Sequence, residues 1–235
     1  MPAYFGMSLQ FLRKDLSPGF VAEFDALLEQ TGLRFASGRW EDGSLSQTEI
    51  AAWNQKKLDK NFELDDYFLE LGDRSQDYKV SLYQFGNYTE VQGGWLNQFP
   101  EANAFAYLLS IPECEVLEYN LTFRDGAIKE LIELAQKLWQ FPAIKAIQTE
   151  LAESDAPLGL TELRQGIPPD LSPFALVEPD CHPYDDGSQV ISLTQGRPGL
   201  LLLDPDLFPG SGRSANPTWG PPPGGLAISH KASIS

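Results

Sequence analysis

The sequence predicts an α+β fold: a mainly antiparallel central sheet flanked by amphipathic helices, followed by a Pro/Gly-rich C-terminal extension. Three observations carry this expectation. Between Tyr78 and Phe123, the runs YKVSLYQF, YTEV, AFAYLLSI and EVLEYNLTF are rich in aromatic and aliphatic residues and are bounded by Gly, Pro or Asn, as strands of one meander are. After Asp125, residues Ile128, Leu131, Ile132, Ala135, Leu138 and Trp139 fall on one helical face, with Lys129, Glu130, Glu133 and Lys137 opposite. From Ala156 onward lie thirteen of the 18 prolines and ten of the 20 glycines, so regular elements there must be short. The expected organisation is a core domain over 1–155, an extension with short strands over 156–208, and a flexible tail over 209–235.

Taken in order, Tyr4 to Leu12 alternates as a first strand. Ser17-Pro18 supplies a capping hydroxyl and a proline at the first helical position, Phe20, Phe24, Leu27 and Leu28 recur at helical spacing, and Gly32 is the stop. Leu33 to Trp40 reads as a second strand, with a turn over Glu41-Asp42-Gly43-Ser44. Ser46 and Glu49 have capping-box spacing, and Ile50 and Trp53 form the expected buried face of the helix that follows. Within the meander, Val80, Leu82 and the apolar partners of Val116 and Leu117 are expected inward, with Ser81, Gln84, Glu115 and Glu118 outward. Asp125 is the expected cap of the long amphipathic helix. Phe141-Pro142 interrupts it, and 143–151 is expected to continue as a short helix with Ile144, Ile147 and Leu151 inward. In the extension, 174–178, 189–193 and 200–203 are the strand candidates, as edge strands or a small subdomain.

A chain of 235 residues can bury a sizeable core without disulfides. Its 33 acidic and 17 basic residues leave a net charge of −16, which repels nucleic acid and anionic membranes and speeds encounter with a basic protein. Simple solubility is the competing explanation of that charge. The opening MPAYFGMSLQ lacks the features of a secretory signal, and no run approaches the roughly 20 apolar residues that span a bilayer. Cys114 and Cys181 stand far apart without a motif, as in a reducing compartment, so the expected location is cytoplasmic. The two sequons at Asn87 and Asn120 are then chance matches.

Catalytic patterns are scarce. Cys181-His182, with Asp180, Asp185 and Asp186 nearby, is the one cluster of reactive types, but adjacent residues seldom converge on a metal or form a nucleophile–base pair, and no second ligand pair completes a tetrahedral site. Gly93-Gly94 and Gly224-Gly225 lack the spacing of a phosphate loop. No catalytic residue, metal ligand or cofactor site is expected, and the chain reads as a binding protein. The segment 59–77 is the most acidic, with Asp59, Glu63, Asp65, Asp66, Glu70, Asp73 and Asp77 interleaved with Phe62, Tyr67 and Phe68. Rigid rings among steering charges suit a protein interface. The alternative is a solvated edge whose rings turn inward.

The succession of a Ser17-Pro18 helix, a second strand bearing Trp40, an acidic middle, an aromatic sheet with Gly93-Gly94-Trp95 and a long helix ending at Trp139 resembles the immunity proteins of bacterial polymorphic toxin systems. It is most similar to the α+β group paired with restriction-endonuclease-like nuclease toxins, including those delivered by type VI secretion. The likeness covers roughly residues 4–150, and the Pro-rich end departs from the pattern. The resemblance implies a cytoplasmic protein that neutralises a cognate toxin, with no nucleic-acid or membrane partner. Its acidic surface would block the toxin's basic cleft, through Asp59, Glu63, Asp65, Asp66, Tyr67, Glu70, Asp73 and Trp95. Inhibition from outside the cleft, an adaptor or chaperone for a secreted effector, and a hydrolase using Cys181 and His182 are the alternatives. The oligomeric state is left open.

Overall fold

In β1 (Tyr4–Leu12), Phe5, Met7, Leu9 and Phe11 project to one face and Gly6, Ser8 and Gln10 to the other, and all seven are buried. A strand buried on both faces is central, and the computed structural model places it so. It describes residues 3–59, 78–96, 103–154, 156–169, 171–181, 189–204, 206–207 and 228–230. The elements after β1 are α1 (Phe20–Thr31), β2 (Arg34–Gly38), α2 (Gln47–Asp59), β3 (Ser81–Phe85), β4 (Tyr88–Leu96), β5 (Ala104–Pro112), α3 (Glu113–Val116), α4 (Ala127–Leu138), β6 (Ile144–Glu150), α5 (Leu160–Arg164), β7 (Phe174–Val177), β8 (Gln189–Leu193), β9 (Gly199–Leu203) and β10 (Ile228–His230). The strands form one antiparallel sheet in the order β10-β8-β9-β7-β6-β1-β5-β4-β3-β2.

The front face carries the main core. Phe20 and Phe24 of α1 meet Phe11 edge-on, with centroids 5.3 and 5.5 Å apart, and Leu131, Leu134, Ala135, Leu138 and Trp139 of the α4 region pack beside them. On the back face, Leu160 and Leu163 of α5 lie on a floor of Ala104, Ala146, Ala175, Val177 and Leu202, where the small residues let the short helix come close. Buried amides anchor it: Gln10 and Gln148 each donate to the Leu158 carbonyl at 2.8 Å, and Leu158 N–H returns a bond to Gln148 at 3.1 Å.

Residues of the expected extension thus continue the same sheet, since β7 pairs with β6 and β9 with β7. One arginine fastens the β8–β9 turn to the end of α4. Arg197 donates to the carbonyls of Trp139 and Phe141 at 3.2 and 3.0 Å, pairs with Glu178 at 3.0 Å, and lies 4.0 Å from the centre of the Trp139 ring. Glu178 also meets Arg164 and Lys145, so three cations share one carboxylate.

Several local expectations match the structure. Gly32 ends α1 at φ 103°, a left-handed conformation that glycine adopts without strain. Ser46 and Glu49 form the reciprocal capping bonds, at 2.8 and 3.3 Å. The three strands expected in the extension are β7, β8 and β9.

Others need correction. Residues 144–150 are strand β6, because Pro142 ends the helical run and a strand buried on both faces has an apolar pattern that fits either period. EVLEYNLTF is the short helix α3 and a loop closed by a Leu117–Phe123 bridge. In β3 the faces are reversed: Ser81 and Tyr83 are buried, and Leu82 is half-buried on the opposite side, because the Tyr83 hydroxyl seeks its partner on Tyr107 at 2.9 Å. Neither Ser17 nor Asp125 caps a helix with its side chain; Gly19 and Gly126 hold the N-cap positions. Trp53 is half-buried rather than buried. Most of the expected tail lies outside the described residues, and its 228–230 stretch pairs with β8. No described helix is long and apolar enough to cross a membrane.

Candidate functional site

The acidic segment leaves the sheet region at the end of α2 and returns at Tyr78. Asp59, its first residue, is exposed on the last turn of α2 and accepts a bond from Gln55 at 2.8 Å. Glu63, Asp65, Asp66, Tyr67, Glu70 and Asp73 lie outside the described residues. The chain is clamped where it returns: Asn54 of α2 donates to the Lys79 carbonyl at 2.9 Å and accepts from the Lys79 N–H at 2.8 Å. Both ends of the segment are therefore fastened to one helix. The Lys79 ammonium is bound to Asp42 at 2.5 Å and stands 4.8 Å from the centre of the Trp53 ring, so its charge is already engaged.

Trp40 stands next to this root, because Gly38 pairs with Ser81 and Arg39 N–H bonds the Val80 carbonyl at 2.9 Å. It is 65% exposed, has φ 53°, and carries the Arg39 guanidinium 4.1 Å from its ring centre. A bulky residue at positive φ is a backbone outlier, costing on the order of 1 kcal/mol or more. The structure thus presents a large exposed ring, stacked against Arg39, next to the residues at which the acidic segment rejoins the sheet. In the sequence Trp40 ends the expected second strand, and its neighbours Asp42-Gly43 signal the turn but not the exposure.

Trp95 belongs elsewhere. It is 3% exposed, and its ring lies 4.7 to 5.9 Å from those of Tyr107, Phe24, Phe11, Phe105 and Phe20. The expectation that it anchors a partner is corrected: it fills the core, since the alternation of β4 points it at α1. Gly93 lets Tyr83 and Tyr107 cross that strand, and a Cβ there would overlap the Tyr107 hydroxyl. Beside this aromatic layer sits Asp25 of α1, 8% exposed. Burial first, and the neighbouring Glu29 second, push its carboxyl up to about 7. Its charge in turn adds to the burial that raises the tyrosine hydroxyls.

Cys181 is 3% exposed, and burial, with Asp180 next to it, pushes its thiol up to about 11. At neutral pH it stays protonated and is a poor nucleophile. His182, Asp185 and Asp186 lie outside the described residues. Among the described residues no group of three His, Cys, Asp or Glu side chains is placed to hold a metal ion.

Two further apolar side chains are exposed on the loop between α3 and α4: Tyr119, fully, and Leu121, at 76%. The strand-like composition of EVLEYNLTF conceals them in the sequence, although Asn120 at its middle is a turn former. Comparison of the chain with protein-family models, with curated proteins and with solved structures finds no match.

Proposed function

We propose that this chain is an immunity protein that binds and neutralises a cognate toxin, a nuclease, by seating the acidic 59–77 segment in its basic substrate cleft. The supporting observation is the placement of Trp40: an exposed ring, stacked against Arg39, beside the root of the most acidic stretch of a chain with net charge −16. Carboxylates there would meet the lysines and arginines that otherwise hold phosphates, while a ring at the edge supplies apolar area at low entropic cost. The negative field speeds encounter and confers salt dependence on the association rate. Trp40 replaces Trp95 as the aromatic anchor in this reading. The same reading makes the protein cytoplasmic and non-catalytic, with neither nucleic acid nor membrane as its partner.

The test is calorimetry of the purified chain with the C-terminal domain encoded by the neighbouring gene, at two salt concentrations, with nuclease activity followed in parallel. The expected result is 1:1 binding with Kd on the order of nanomolar, loss of nuclease activity, and slower association at high salt. Absence of binding refutes the pairing.

A further inference from the structure

We propose that the loop from Leu117 to Phe123 is a preformed docking finger that inserts Tyr119 and Leu121 into an apolar cleft rimmed by basic residues on the same toxin. This rests on the inhibitor reading above and adds a second contact, remote in sequence from the acidic segment.

Three features carry it. First, the tip is apolar and uncovered: Tyr119 is 104% and Leu121 76% exposed, the two most exposed large apolar side chains of the described residues. Large apolar side chains this exposed, one of them a ring, suit a pocket on a partner.

Second, the tip is built, not loose. A backbone bridge joins Leu117 to Phe123, Glu118 N–H bonds Thr122 O at 2.7 Å, and Leu121 N–H bonds Glu118 O at 2.9 Å. The Asn120 side-chain oxygen accepts from the Thr122 hydroxyl at 2.7 Å and its N–H at 3.3 Å. Below the tip, Arg124 donates to Leu117 O at 3.2 Å and Cys114 O at 2.9 Å. These bonds hold Leu121 at φ 63°, a conformation its side chain disfavours, so the loop's order is in place before any partner arrives.

Third, the charge around the tip selects the partner's chemistry. Glu113, Glu115, Glu118 and Asp125 flank it in the chain against Arg124, the one cation of residues 113–125. Glu113 and Glu115 are held in place, bonding Ala152 N–H at 2.7 Å and Thr89 N–H at 2.8 Å. Acids around an apolar tip favour a cleft lined with lysine and arginine and disfavour an acidic surface, a second copy of this chain included.

The experiment compares wild type, Y119A, L121A and the double variant Y119A/L121A in calorimetry with the neighbouring gene's C-terminal domain. Hydrogen exchange of residues 117–123 is followed with and without that domain, and sedimentation is run on each chain alone. Both side chains are solvent-exposed, so the variants should keep the wild-type circular dichroism. The expected result is binding weaker by at least about 30-fold in the double variant, with amides of 117–123 protected in the complex. Wild-type and double variant binding equally, or no protection in the complex, overturns the finger while the inhibitor reading stands. A wild-type dimer dispersed by Y119A/L121A makes the tip a self-interface and also overturns it. Failure of wild type itself to bind brings down both readings.

Discussion

Asp25→Asn is the sharpest probe of the core beside the aromatic layer. The carboxyl is 8% exposed on α1, and burial pushes it up to about 7 from the ordinary 3.8 of an aspartate in the unfolded chain. Below about pH 4 both states hold the proton and the contribution to stability is complete. Between about 4 and 7 the folded chain keeps a proton that the unfolded chain has released, so stability falls as pH rises. Above 7 the buried carboxylate is ionised and the loss is complete. At about 1.4 kcal/mol per pH unit, the gap between 3.8 and about 7 sets an upper bound of about 4 kcal/mol. Asparagine has nearly the same shape and does not ionise. The variant should therefore gain about 2–4 kcal/mol over wild type between pH 4.5 and 8.5. Urea denaturation of both proteins across that range measures the difference. Subtraction cancels the acids the two proteins share, while Tyr83 and Tyr107, raised by burial, titrate above the range. Any fixed cost of packing the amide shifts the difference without tilting it. A difference that stays constant with pH would refute the argument that burial raises the Asp25 carboxyl above its value in the unfolded chain.

Four other substitutions test packing and exposure at named positions. Gly93→Ala should cost about 3 kcal/mol in urea denaturation, because the new methyl would overlap the Tyr107 hydroxyl and stand 2.7 Å from Tyr83 Cε2, both locked in the core; an unchanged midpoint would show that the tyrosines can retreat. Arg197→Ala strips Glu178 of one partner and releases the β8–β9 turn from Trp139, so about 2–3 kcal/mol of destabilisation is expected, with faster hydrogen exchange in β8 and β9 ahead of β1; equal protection of all three strands would mean the turn is held without it. Trp95→Ala should lose about 3–5 kcal/mol of stability, whereas Trp40→Ala should change it by less than about 1 kcal/mol while weakening partner binding. The opposite ranking in thermal unfolding would reverse their assigned places in the fold.

The elements written by near neighbours in the chain were legible from the residues alone. The α+β class, β1, the stop of α1 at Gly32, the Ser46–Glu49 capping box, the amphipathic α4 and the strands β7, β8 and β9 each rest on a cap, a breaker or a period read within a dozen residues. What the tertiary structure alone decided depends on partners far along the chain. Ile144 to Glu150 became a strand because β1 and β7 lie on either side of it, and its apolar residues, buried on both faces, carry no distinguishing period. Tyr83, not Leu82, turned inward because Tyr107, 24 residues on, offers the hydroxyl that buried tyrosine requires. The candidate site followed the same division. Its acidity is a property of composition and is visible in the sequence. Which tryptophan reaches solvent is a property of packing: Trp95 and Trp40 are the same residue type, and the fold buries one under α1 while leaving the other exposed next to Val80, where the chain rejoins the sheet.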